Sequence, residues 1–298
     1  MEKIKVLLDT DIGSDIDDAL ALSYLLTEPR CELMGVTTVT GEPHKRAQMA
    51  HHLCSVAGKD EIPVFPGAAL PMHGKQHQPY APQAAALTDW AMSKKFPEGE
   101  AIHFMRKTIR QNPGEIVLLS IAPLTNIGLL FSLDPEIPRL LKGLVLMCGV
   151  FHYKLPELKN YQYEWNAIGD PFATSIVYNT EVALHRSIGL DVTFIVTMDK
   201  MEAQSMFTHR LLEPVRTFCE HYNDYPHITF HDPLAAMSIF HDDILKYERG
   251  KVHLERGEDC YEGMTRWTAQ HPEGCPHEVA SEVDREAFFR RYFSSFAS

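Results

Sequence analysis

The stretch LLDTDIGSDIDDALAL, residues 7–22, places five aspartates (Asp9, Asp11, Asp15, Asp17 and Asp18) in the ten positions from Asp9 to Asp18, between two apolar runs. Carboxylates crowded at the edge of a core repel one another, and each unpaired one is costly in a low-dielectric setting, so the pattern asks for a cation. A divalent metal ion is the simplest one to supply. An EF-hand does not fit: counting from Asp9 puts Gly13 at position five, Ser14 at six and Leu20 at twelve, where that loop needs an oxygen ligand, a glycine and a glutamate. A solvated helix start, with acids favoured by the helix dipole, accounts for Asp17 and Asp18 but leaves Asp9 and Asp11 unexplained. An aspartate-nucleophile phosphohydrolase with Mg²⁺, using Asp9 as nucleophile and Asp11 as acid or base, stays open.

The elements that must position these acids follow from apolar patterning. Residues 4–9 are short, apolar and β-rich and predict a buried strand, and helical spacing begins at Asp17. A second strand is expected at 32–39, then a helix from Pro43 that stops at Gly58, and a third strand at 62–65. An irregular loop fills 66–83, a helix 98–111 and a strand 115–121, followed by helix from Pro123 and a strand at 143–149. Further on, helical signals occupy 170–179 and 199–222, a strand 184–190, and β-like pieces 252–256, 264–269 and 279–283. This alternation predicts an α/β fold with a mostly parallel central sheet, helices on both faces, and a single domain over 1–298. In such sheets ligands bind beyond the carboxyl ends of the strands, where Asp9, the turn at 40–42, residues 124–126 and the loop after Gly149 should converge.

Bulk composition narrows the partners. With 28 basic against 40 acidic residues the formal charge is −12, and no basic patch stands out, which argues against nucleic acid and anionic membranes. Six cysteines occur without a CxxC pair, so neither a zinc cluster nor a redox motif is spelled out. The apolar start is too short for a signal peptide and no run approaches a membrane span, so a cytoplasmic location is expected.

The acidic loop resembles the DTDxGxDDAxAL signature of the nucleoside hydrolases (nucleoside N-ribohydrolases). Other segments carry the same resemblance in family order: GVTTVTG (35–41), APLTNIGLL (122–130), VLMCGV (145–150), EWNAIGDPFA (164–173), GLDVT (189–193) and FHDPLAA (230–236). The resemblance implies the nucleoside hydrolase fold, one Ca²⁺ per subunit, and cleavage of a ribonucleoside to ribose and free base. It further implies that Asp11, Asp18, the Thr125 backbone carbonyl and Asp232 hold the ion. Asp11 would take a proton from the attacking water, oriented from behind by Asp9, and His231 would protonate or hydrogen-bond the leaving base. Glu164 and Asn166 would hold the ribose 5′-hydroxyl, with Asp17, Glu42 and Asn160 also contacting substrate. A homodimer or homotetramer acting in purine or pyrimidine salvage completes the implied picture. Blander readings stand beside these: His231 as a turn cap before Pro233, Glu164 and Asn166 as a polar loop, and Tyr222, Tyr225 and Phe230 as either base-stacking or core residues.

The sequence also departs from the pattern. DIGSDIDD is two residues longer than DxGxDD, so either Asp17 and Asp18 take the paired positions and Asp15 is extra, or Asp15 replaces the first of the pair. Asp18 is expected as the ligand, with Asp15 and Asp17 near it. Glu42 stands where the family has asparagine; it should add negative charge and disfavour phosphorylated nucleotides. The 71–83 loop lacks the family's glycine-rich continuation, and Leu158 stands at a usual asparagine, with Asn160 as a substitute. These departures keep a non-catalytic ribosyl-binding relative open as a third reading.

Overall fold

The computed structural model describes residues 3–151, 155, 158, 163–221, 225–257, 261–269 and 276–297. Its strands are β1 (Ile4–Thr10), β2 (Cys31–Thr38), β3 (Val64–Pro66), β4 (Ile116–Ser120), β5 (Gly143–Leu146), β6 (His185–Ser187), β7 (Thr197–Asp199), β8 (His227–Thr229), β9 (Leu245–Arg256), β10 (Tyr261–Ala269) and β11 (His277–Val283). Nine of them form one sheet in the order β10-β9-β11-β6-β5-β4-β1-β2-β3. From β3 to β11 every neighbouring pair is parallel, while β9 runs antiparallel to both β11 and β10. β7 and β8 make a separate antiparallel pair.

The apolar strands are buried because helices cover both faces of the sheet. Alternation along β1 sends Val6 and Leu8 into one apolar cluster and Leu7 into the other, and β4 does the same with Val117 and Leu119 against Ile116 and Leu118. The first cluster takes in Leu20 and Tyr24 of the Asp17–Thr27 helix, Leu53 of Pro43–Val56, Leu234 of His231–Ser238 and Phe288 of Arg285–Ser294. The second takes in Met105 of Ala101–Gln111, Leu130 of Thr125–Leu133 and Val177 of Pro171–Tyr178.

Chain order runs β1, β2, β3 outward on one side and returns with β4 on the other side of β1. The crevice at this reversal lies between the carboxyl ends of β1 and β4, where a parallel sheet exposes strand-end groups without a crossing connection. Asp9 shares the face of Leu7 and Thr10 that of Leu8, so consecutive residues send a carboxylate and a hydroxyl to opposite sides of the sheet end.

Two expectations need adjustment. The 199–222 region is not one helix but Lys200–Met206, Leu212–Phe218 and a single 3₁₀ turn at Cys219–His221. Pro214 cannot donate within a helix interior, so it sits in the first turn of a new one. β9 begins at Leu245, well before the piece read at 252, because its Lys246–Glu248 end alternates with solvent and gives little apolar signal.

Candidate metal centre

The centre is assembled from the end of β1, the starts of two helices and the start of a third. Asp17 and Asp18 lie in the first turn of Asp17–Thr27, and Asp232 in the first turn of His231–Ser238, each where the helix dipole favours negative charge. These helices pack against each other, and Leu20 and Leu234 belong to the same apolar cluster. One carboxylate oxygen from each of Asp17, Asp18 and Asp232 lies within 4.8 Å of the other two, and all three side chains are buried. Local bonds fix them: Thr10 Oγ1 donates to Asp18 Oδ1 at 2.5 Å, and the Asp232 backbone N–H donates to Asp17 Oδ2 at 3.2 Å.

Asp11 stands beside this trio, 6% exposed, with Oδ2 accepting from Gln78 Nε2 at 2.9 Å. The tightest grouping contains Asp17, and Asp11 lies beside it, bonded to Gln78. Asp9, fully buried, accepts from Thr37 Oγ1 (2.5 Å) and Asn126 Nδ2 (2.7 Å), and its Oδ2 has no partner among the described residues. Asn126 is pressed close: a Cβ on Gly67 would lie 2.4 Å from its Oδ1, so only glycine lets that turn approach. Asp15 is half-buried in the loop, its Oδ1 accepting from the Ile16 N–H at 2.5 Å. The geometry thus follows the register in which Asp17 and Asp18 are the pair and Asp15 is the extra acid.

Burial raises the pKa of Asp9, Asp11, Asp17, Asp18 and Asp232. Desolvation pushes Asp9 up to about 7 and Asp11 to about 6, with neighbouring acids adding to it in each case. Asp17, Asp18 and Asp232 are pushed well above the ordinary aspartate value, first by burial and then by neighbouring carboxylates: Asp15 for Asp17, Asp11 and Asp17 for Asp18, Asp17 and Asp18 for Asp232. Three buried oxygens this close with raised pKa values fit a hard divalent cation, which would let all three ionise together.

Thr125 begins Thr125–Leu133 and donates its hydroxyl to Asp170 Oδ2 at 2.8 Å. Asp170 also accepts from the Met72 N–H (2.6 Å) and caps Pro171–Tyr178 through the Ala173 N–H (3.0 Å). Removing it orphans a cap, a loop N–H and the Thr125 hydroxyl together. Asp170→Ala should therefore cost roughly 2–4 kcal/mol, read as a lowered midpoint in urea unfolding.

The outer residues divide. Glu164 is buried and engaged, its carboxylate accepting from the backbone N–H groups of Gly149, Asn166 and Ala167 as the cap of the Trp165–Gly169 turn. Burial holds its pKa up against those three bonds. Asn166 Nδ2 donates to the Met147 carbonyl at 2.9 Å. Glu42 is paired with Lys45 Nζ at 2.6 Å and accepts from the Ala81 N–H at 3.1 Å. Burial opposes its charge, but these two donors outweigh it and hold the carboxyl below its usual value, so Lys45 offsets the charge expected beside the pocket. His231 pairs Nδ1 with Thr193 Oγ1 at 2.7 Å, and desolvation lowers its pKa to about 4. Phe230 is fully buried among Phe288, Phe289, Tyr292 and Phe293 and is a core residue. Tyr225 is exposed; Asn160 and Tyr222 lie outside the described residues.

Two residues, Arg46 and Gln78, join the centre without a sequence signal, and Thr40 lies in the turn expected there. Arg46, fully buried, donates to backbone around the acidic loop. Gln78 bridges Asp11 to the half-exposed Trp165, whose indole N–H donates to Gln78 Oε1 at 2.5 Å. Thr40, whose carbonyl accepts from Arg46 Nε, has a φ of +65° unusual for a β-branched residue, a strained turn of the kind found beside functional sites.

The chain is similar to known proteins along nearly its whole length. Uridine nucleosidase 1 of Arabidopsis thaliana is 27% identical over 307 residues, covering 95% of this chain and 90% of that protein. The inosine-uridine preferring nucleoside hydrolase of Crithidia fasciculata is 27% identical over 318 residues, covering 96% and 95%. The solved purine-preferring ribonucleoside hydrolase from Gardnerella vaginalis superposes with a TM-score of 0.82 at 21% identity over 98% of each chain, which establishes the shared fold. Among the described residues no helix is long and apolar enough to cross a membrane. The profile of the inosine-uridine preferring nucleoside hydrolase family matches residues 6–290, and the chain belongs to that family.

Proposed function

We propose that this protein hydrolyses the N-glycosidic bond of ribonucleosides, giving ribose and free base, with one Ca²⁺ held by Asp11, Asp18, Asp232 and the Thr125 carbonyl. The observation that carries the reading is the meeting, within 4.8 Å, of buried carboxylates from the first and last thirds of the chain at the sheet's reversal point. A sequence-distant acid trio of this kind has no packing purpose, since burying it unpaired opposes folding. When bound, the ion supplies a hard positive charge that grips sugar hydroxyls and acidifies water.

The chain's own residues supply the rest. Cleavage passes through an oxocarbenium-like state, which needs a base for water, negative charge near the sugar and help for the departing base. Asp11 is the base: it lies beside the trio, and a pKa near 6 matches its task at neutral pH. Asp9 stays behind it, anchored by Thr37 and Asn126. Full enclosure of Asp9 speaks against the phosphohydrolase reading, whose nucleophile has to reach substrate. Asp17 takes a sugar hydroxyl, and Glu164 and Asn166 hold the ribose 5′-hydroxyl.

His231 is neutral at pH 7, so it assists the base by an N–H hydrogen bond. The tautomer that serves this role has the proton on Nε2, with Nδ1 accepting from the Thr193 hydroxyl 2.7 Å away. His231→Ala should lower kcat on inosine by roughly 10², measured by steady-state release of hypoxanthine. An unchanged inosine rate removes His231 from the reaction. The test of the whole reading is a nucleoside panel assayed for reducing sugar with and without chelator, run beside phosphate monoesters. Sugar release that stops on chelation supports it; ribose binding without any release of base would make the protein a non-catalytic relative.

A further inference from the structure

Arg46 is 0% exposed, yet it carries a permanent charge, and a buried guanidinium is stable only when its donors are all met. Its partners are five oxygens from three separate segments. Nε donates to the Thr40 carbonyl (2.9 Å) in the turn after β2, and Nη2 to the Tyr80 carbonyl (3.0 Å) in the 66–83 loop. Nη1 reaches into the acidic loop itself, to the carbonyls of Asp11 and Ile12 (3.1 Å) and to Ser14 Oγ (3.0 Å). None of these acceptors is a carboxylate. The charge of the acids beside it favours the guanidinium from a distance, while its directed bonds go to four backbone carbonyls and the Ser14 hydroxyl.

The next residue of the loop is tied as well, since the Gln83 N–H donates to the Gly13 carbonyl at 3.1 Å. Three consecutive carbonyls, of Asp11, Ile12 and Gly13, are thus all engaged. Fixing consecutive peptide planes fixes the direction in which each side chain leaves the backbone, and here the side chain at stake is that of Asp11. The loop that Arg46 clamps is the one two residues longer than the pattern it resembles, where extra backbone freedom would otherwise scatter Asp11 relative to Asp17 and Asp18.

We propose that Arg46 is a positioning residue: its guanidinium clamps the lengthened acidic loop through backbone carbonyls and so holds Asp11 in place beside Asp17, Asp18 and Asp232. The inference rests on the cation reading above. It separates from a simpler alternative, in which Arg46 is a nearby positive charge that only repels a bound cation. A lysine keeps the charge but, with three donors on one nitrogen, cannot span Thr40, the loop and Tyr80; a methionine loses charge and donors together.

The experiment titrates Ca²⁺ alone into the metal-stripped full-length chain by calorimetry, for wild type, Arg46→Lys, Arg46→Met and Asp232→Asn, with hydrogen exchange read over residues 11–18 and over β5. Positioning predicts that both Arg46 variants lose affinity by at least about tenfold, the usual effect of removing a residue that orients ligands. It also predicts that exchange in Arg46→Lys speeds up at 11–18 while β5 stays protected as in wild type. The proposal is overturned if Arg46→Met binds Ca²⁺ as tightly as wild type or more tightly, or if exchange at 11–18 in Arg46→Lys is unchanged or rises equally in β5. Arg46→Lys carries the decision if Arg46→Met does not fold. Should Asp232→Asn leave Ca²⁺ binding intact, the cation reading fails, and the exchange measurement still decides whether Arg46 clamps the loop.

Discussion

Asp11→Ala should reduce ribonucleoside turnover by roughly 10³ or more, since a positioned base alone contributes about 10²–10⁴ and this carboxylate is also a proposed cation ligand. The same substitution should leave the fold intact and the melting temperature unchanged or raised. The carboxylate sits among acids that already repel it, with burial lifting its pKa to about 6, so ionised Asp11 opposes folding at neutral pH. Its backbone anchor is untouched, because Arg46 holds the carbonyl and not the side chain. The Gln78 amide loses one acceptor but lies in a half-buried loop where water can replace it. Loss of activity together with retained or increased stability is the signature of a group kept for chemistry at the expense of the fold. Single-turnover kinetics beside thermal melts measure both halves. A residual rate within tenfold of wild type would mean that another group takes the proton.

How far the centre was readable from sequence depends on whether a residue's role is set by its neighbours in the chain or by the sheet. Asp9, Asp11, Asp17 and Asp18 were legible because strand, loop and helix follow one another within one short stretch, and the period-2 and period-3.6 patterns on either side fix where the acids fall. Asp232 needed the resemblance, because no local feature ties a helix start near the end of the chain to β1. Arg46 gave no signal: an arginine in the first turn of a helix reads as solvated, and only the reversal of strand order lays the acidic loop over it. Gln78 and Trp165 meet across 87 positions in an irregular loop, beyond any periodicity. The Glu42–Lys45 pair was open to sequence reasoning, since the two lie three residues apart at a helix start. Phe230 looked available for a base because the Arg285–Ser294 helix that buries it was not foreseen; that helix is rich in arginine and aromatic residues and lacks a clean apolar stripe.

Removing the divalent cation should abolish turnover and should also invert how stability responds to pH. In the metal-free protein Asp9 keeps its proton up to about 7, and Asp17, Asp18 and Asp232 keep theirs well above the ordinary range, because burial disfavours their charge. In the unfolded chain all four have lost their protons by about pH 5. The folded state therefore binds more protons than the unfolded state near neutrality, and stability must fall as pH rises, by up to about 1.4 kcal/mol per pH unit for each proton still held. Below about pH 6.5 the buried histidines oppose this slope: His231 and His277 titrate at about 4 when folded, so there the unfolded chain gains protons first. The clean window is thus about pH 7 to 8.5. With Ca²⁺ in excess the same carboxylates are held ionised, and binding strengthens as the competing protons leave, so the slope flattens or changes sign. Melting temperatures in Ca²⁺ and in chelator should accordingly diverge as pH rises across this window. Two parallel curves would mean that no cation is bound by these acids, whatever else the crevice between β1 and β4 accommodates.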